Sequence, residues 1–117
     1  MAESQYVKAE TVGQVLAAQV LWEKITDREC TAVLNDLMAA AKDTTWRIAL
    51  DLSNVMMLAS AGLGTLINLH KSCQTGGGKL VVFGLRDEIR ELMTLTRLNR
   101  LLTIVDSRDA AIQKASA

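Results

Sequence analysis

Ser60 is the residue best placed for switch chemistry, inside the stretch Leu58-Ala59-Ser60-Ala61-Gly62-Leu63-Gly64. It stands just before an apolar helical run, where a hydroxyl serves as an N-cap by accepting from the first free amides of the helix. A helix start also favours an anion, including a phosphoryl group on a modified hydroxyl. Other chemistry lacks parts. Gly62-Leu63-Gly64-Thr65-Leu66-Ile67 begins like a dinucleotide fingerprint, but Ile67 occupies the place of the third glycine. Gly76-Gly77-Gly78-Lys79 runs from helix into strand, the reverse of a phosphate-cradling loop, and no Ser or Thr follows the Lys to hold Mg²⁺. His70 falls on or beside an apolar stripe without an acidic or nucleophilic neighbour and reads as a structural histidine. Asp51 shares a strand side with Arg47 and reads as a surface charge. Cys30 and Cys73 with one histidine do not make a zinc site; they read as small apolar residues in a reducing cytoplasm. The expectation is no catalytic residue, no metal, no cofactor and no enzymatic activity.

The rest of the chain must position that stretch. Its 117 residues suit one domain, and 50% hydrophobic content supports a real core. Thirteen basic and thirteen acidic residues cancel, so no net field draws nucleic acid or a membrane surface. The few aromatics, Tyr6, Trp22, Trp46 and Phe83, give no base-stacking platform. Leu52 to His70 carries no charge except on His70, but Ser53, Asn54, Ser60, Gly62, Gly64, Thr65 and Asn68 break it too often for a transmembrane helix. The N-terminus has no signal pattern, so a cytoplasmic location without membrane insertion is expected.

Gln5 to Glu10 alternates as an edge strand, Thr11 to Gln14 is a turn, and Val15 to Trp22 is a strand apolar on both faces. Thr26 and Glu29 form a capping box, followed by Cys30, Val33, Leu34, Leu37, Met38 and Ala41 in one helical stripe. Trp46 to Ser53 alternates as a strand. Leu63, Leu66, Ile67, His70 and Cys73 then sit at helical spacing up to Gly76. Leu80 to Phe83 is a buried strand, and Ile89, Leu92 and Met93 mark a third helix. Leu102 to Val105 is a last strand, and Asp106 or Ser107 caps a terminal helix. This alternation predicts an α/β domain with a largely parallel sheet.

Several segments, in order, resemble the STAS family, the domains typified by bacterial anti-sigma factor antagonists. They are Ile48-Ala49-Leu50-Asp51-Leu52-Ser53-Asn54-Val55, Ser60 to Gly64, Gly77 to Leu85, Leu95 to Leu102 and Val105-Asp106-Ser107. The similarity runs from about Trp46 to Ile112; the front third matches only in pattern. The resemblance implies a single STAS-like domain over 1–117, ordered from about 5 to 114, with a mixed, mostly parallel sheet of about four to five strands and helices packed against it.

It also implies partner switching. In that scheme the domain binds an anti-sigma factor that is a serine kinase of the histidine-kinase-like ATPase type. Phosphorylation at the start of the helix after the third strand abolishes binding, and a serine phosphatase restores it. The family typically reads Asp-Ser-Ser-Gly or Asp-Ser-Thr-Gly here. In this chain the acid is replaced by Ala59 and the acceptor by Ala61; only Ser60 keeps a hydroxyl. Ala61 has no oxygen to phosphorylate, so a charge of about −1.5 to −2 does not arise there. Three readings stay open: a domain permanently in its binding state, phosphorylation of Ser60 instead, or a STAS domain regulated in another way. The implied partner surface is Ser60, Ala61, Gly62, Leu63, Gly64, Thr65 and Asn68. The alternative role is a structural STAS subunit of a lipid-transport or sensory complex.

Overall fold

The computed structural model describes residues 6–25 and 27–117. β1 (Val7–Val12) and β2 (Val15–Val20) form a hairpin whose closing pair is Val12 and Val15. Its two-residue loop places Gly13 at φ 62, as the first position of a tight hairpin turn requires. The first strand thus runs two residues into the stretch expected to turn, because the loop needs only Gly13 and Gln14. The expected Thr26–Glu29 capping box lies outside the described residues.

Helix α1 (Asp27–Ala41) buries Cys30, Val33, Leu37, Ala40 and Ala41, with Leu34 and Met38 at the edge of its stripe. β4 (Arg47–Asp51), β6 (Lys79–Phe83) and β7 (Thr103–Ile104) complete a sheet in the order β1-β2-β4-β6-β7, calling β3 and β5 the short strands described below. β1 is antiparallel to β2 and every other neighbouring pair is parallel. This is the expected α/β architecture with a mixed, mostly parallel five-stranded sheet. Helices α2 (Ser60–Thr75), α3 (Asp87–Leu95) and α4 (Leu98–Leu101) join α1 around the larger core, which includes Leu16, Ile48, Leu50, Leu80 and Val82. The terminal helix α5 (Arg108–Ser116) packs Ala111 and Ala115 on Val15, Ala49, Val81 and Phe83 of the opposite sheet face. Ser107 caps α5, accepting from the Ala110 amide at 3.2 Å.

β3 (Lys24–Ile25) and β5 (Met57–Leu58) pair in parallel as a separate ribbon that the sequence does not announce. Two residues carry no readable period; the pairing arises because the chain leaving β2 meets the chain leaving β4. Trp22 lies beyond β2 and is 38% exposed, not buried in a strand as its apolar neighbours suggest. Among the described residues no helix is long and apolar enough to cross a membrane.

Candidate functional site

The stretch around Ser60 is assembled by the turn after β4. The Asp51 carboxylate accepts from the Ser53 amide at 2.8 Å, and the Leu52 amide donates to the Phe83 carbonyl at 3.1 Å. Leu52 and Val55 are buried and anchor the turn in the core. The Glu23 carbonyl then accepts from the amides of Met56 and Met57, at 2.8 and 3.1 Å. The Ala59 amide donates to the Ile25 carbonyl at 3.0 Å, so the segment reaches α2 strapped along residues 23–25.

α2 begins at Ser60, and the N-cap is Ala59, extended at φ −74 and ψ 169, with no side-chain capping hydrogen bond. This corrects the expectation of Ser60 as the cap. The Ala59 carbonyl already accepts from Gly62 and Leu63, at 2.8 and 3.1 Å, which places the helix boundary one residue earlier. The position at which the family pattern carries an acid is therefore the cap itself, and here it has no oxygen. Ser60 is exposed in the first turn, which contains no acidic residue.

The predicted partner residues divide into two sets. Ser60 and Asn68 are exposed, and Ala61, Leu63 and Gly64 are half-buried. Gly62 and Thr65 are buried. The Thr65 hydroxyl donates to the Ala61 carbonyl at 2.9 Å. A Cβ on Gly62 would lie 2.4 Å from Leu58 Cδ1 and 3.3 Å from Ile25 Cγ2. These two residues seat the helix start on the β3–β5 ribbon and offer a partner no side chain. The buried face of α2 runs through Gly62, Thr65, Leu66, Leu69 and Cys73. The predicted stripe placed Leu63 and Ile67 inside; both are half-buried at its edge, as is His70, which was expected on or beside it, and the close approach at Gly62 sets the helix start against Leu58 and Ile25.

Sequence reasoning missed the rim of this site. Met56 and Met57 are 51% and 50% exposed, directly before α2, and Trp22 borders the Glu23 carbonyl that holds both amides. The Trp22 ring meets Tyr6 edge-on at 5.0 Å between centroids. Apolar residues in an uncharged stretch look like core, and only their placement on the surface marks them. Exposed methionines are adaptable contact groups.

The remaining chemical candidates lie apart from this surface. His70 is half-buried, and its Nδ1 has no hydrogen-bond partner. Burial pushes the Cys73 thiol from its ordinary 9.0 up to about 12, so it stays protonated. Among the described residues no cluster of three His, Cys, Asp or Glu side chains is placed to hold a metal ion.

The STAS domain profile matches residues 9–111. A Thermotoga maritima protein provisionally named an anti-sigma factor antagonist is 29% identical over 68 residues, 58% of this chain and 60% of that relative's length. Its crystal structure superposes with a TM-score of 0.82 at 21% identity, covering 97% of both chains. An anti-sigma factor antagonist from Mycobacterium paratuberculosis gives a TM-score of 0.81 at 20% identity over the full length of both. The Bacillus cell fate determinant SpoIIAA in its phosphorylated form gives 0.70 at 13% identity, covering 92% of this chain and 97% of that one. With the profile spanning nearly the whole chain and the five-stranded sheet shared with these structures, the chain belongs to the STAS domain family.

Proposed function

We propose that this chain is a non-enzymatic regulator of the anti-sigma factor antagonist type, which works by binding a partner protein at the start of α2. The observation that supports this most is a presented helix start, Ser60, Ala61 and Gly64, framed by the exposed side chains of Met56 and Met57. A presented apolar rim beside polar backbone suits a protein contact. The partner in this reading is an anti-sigma factor that is also a serine kinase of the histidine-kinase-like ATPase type, with a serine phosphatase opposing it. Ala61 stands at the family's acceptor position, so the domain stays in its binding state unless Ser60 takes the phosphate. Ser60 is exposed in the first helical turn, where a phosphoryl group would meet the positive end of α2.

The test is incubation with the cognate kinase and ATP, followed by intact mass and binding titration. The expected result is a tight complex and no phosphate on the chain. Phosphate mapped to Ser60 overturns the permanently binding version, and no complex overturns the regulator. Ala61→Glu places a fixed negative charge in the contact and is expected to weaken the complex by about tenfold or more, equivalent to about 1.4 kcal/mol. Ala61 also fits the second reading, a STAS subunit with no phosphoacceptor; co-purification with membrane transporter subunits and no kinase would favour it.

A further inference from the structure

Among the described residues, the sheet face opposite α2 is only partly covered. α5 lies over β4 and β6, reaches β2, and leaves the β1 side open beside its own N-terminus. A cleft of about 240 Å³ opens there. Its floor is the half-buried Ala17 on β2, whose methyl group leaves the space unfilled beside its register partner Ala49 on β4, which is itself fully buried under α5. Lys8, Gln19 and Asp51 form one row across β1, β2 and β4 along its edge. Glu10 and Arg108, hydrogen-bonded to each other, close the side toward α5.

Three properties define what this cleft can hold. Two cations and two anions line it, so neither an anion nor a cation alone matches the lining. Glu10 and Arg108 satisfy each other, which leaves Lys8 at one end of the row and, at the other, Asp51, whose Oδ1 accepts from the Ser53 amide and whose Oδ2 has no hydrogen-bond partner among the described residues. They are separated by two inter-strand spacings, roughly 10 Å between backbones. Between them, neither the Gln19 amide nor the Lys8 ammonium has a hydrogen-bond partner among the described residues. The volume equals about eight waters at ~30 Å³ each, room for a molecule of about ten non-hydrogen atoms and too little for a nucleotide.

We propose that this cleft is a second binding site, for a small zwitterion of amino-acid size. Its carboxylate would face Lys8, its ammonium would face Asp51, and its aliphatic body would lie on Ala17 with Gln19 bonding to either end. The proposal does not rest on the partner-binding reading: the cleft and α2 occupy opposite faces of the sheet, and they share only Asp51, whose Oδ1 holds the turn that leads to α2.

The experiment is an amide chemical-shift titration of the full chain with γ-aminobutyrate and with L-leucine, and with acetate and butylammonium as single-charge controls. A zwitterion is expected to give saturating shifts at Ala17, Gln19, Ala49 and Asp51 at millimolar concentration, with the controls about tenfold weaker or more. Ala17→Leu fills the floor and is expected to abolish saturation. Gln19→Met keeps the side-chain volume, removes the amide, and is expected to weaken binding by about tenfold even where Ala17→Leu fails to fold. Shifts that stay linear for both zwitterions overturn the proposal. So do controls that bind as tightly, saturation that persists in Ala17→Leu, or an affinity unchanged in Gln19→Met, each with the native spectrum retained.

Discussion

Gly62 and Gly64 sit two positions apart in α2 and meet opposite surroundings. A Cβ at Gly64 touches nothing within 4 Å, whereas one at Gly62 enters the space of Leu58. Gly64→Ala is therefore expected to stabilise the chain by about 0.5–1 kcal/mol through helix propensity alone. Gly62→Ala gains the same propensity but displaces Leu58 from the ribbon, and overpacking of that kind costs about 1–3 kcal/mol. Urea unfolding should separate the two variants by sign; equal effects would show that Leu58 yields freely. Cys73 supports a second prediction at this scale. Its thiol pKa is raised on folding from 9.0 to about 12, so the native chain keeps a proton that the unfolded chain releases. The resulting stability is complete below pH 9 and is lost as the pH rises toward 12. Wild type should accordingly lose more stability than Cys73→Ala across the lower part of that window, measured by urea unfolding at stepped pH. A parallel loss in both would show that the thiol is not the titrating group.

The two ends of the fold treat their helices differently. α5 is held at both termini: Ser107 caps its start, and Arg47 Nη1 donates to the carbonyls of Ala115 and Ala117 at 2.8 and 3.0 Å. α2 starts without a side-chain cap, although Ala59 already has the extended backbone of an N-cap residue. Ala59→Asp supplies an acceptor for the amides of Ala61 or Gly62, and its charge complements the positive end of the helix. It should stabilise the chain by about 1 kcal/mol, read as a raised Tm in a thermal melt. A lowered Tm would mean that the bond from the Ala59 amide to Ile25 holds that side chain away from the helix. The uncapped start fits a helix end that is completed by a partner.

At the scale of the whole molecule, one end of the sheet gathers three of the five exposed large apolar side chains among the described residues, the other two, Leu95 and Leu101, closing α3 and α4. Met56, Met57 and Trp22 all lie where β2 and β4 hand over to the β3–β5 ribbon. Their burial in a complex would remove water from large side chains at about 25 cal/mol per Å². Met57→Glu should leave folding stability within about 0.5 kcal/mol, as for other surface changes. It should weaken the proposed complex with an anti-sigma kinase by about tenfold or more in a calorimetric titration. Unchanged affinity would exclude the methionine rim from the contact and confine it to α2.

The strand and helix order was legible in the sequence because each long element carries its own period. Leu80 to Phe83 reads as a buried strand, Cys30 to Ala41 as one helical stripe, and Ser107 as a cap, since each depends on neighbours a few residues away. The helix start at Ser60 to Gly64, where the partner contact is proposed, was legible for the same reason. The cap boundary at Ala59, the inward turn of Gly62 and Thr65, and the exposure of Met56 and Met57 were not. Each depends on the β3–β5 ribbon, a pairing between segments more than thirty residues apart that carries no local signal. Local periodicity therefore determined which residues form the long elements and, to within one residue, where α2 begins. The cap residue of α2, and which of its first residues are exposed, were decided only when the chain leaving β2 met the chain leaving β4.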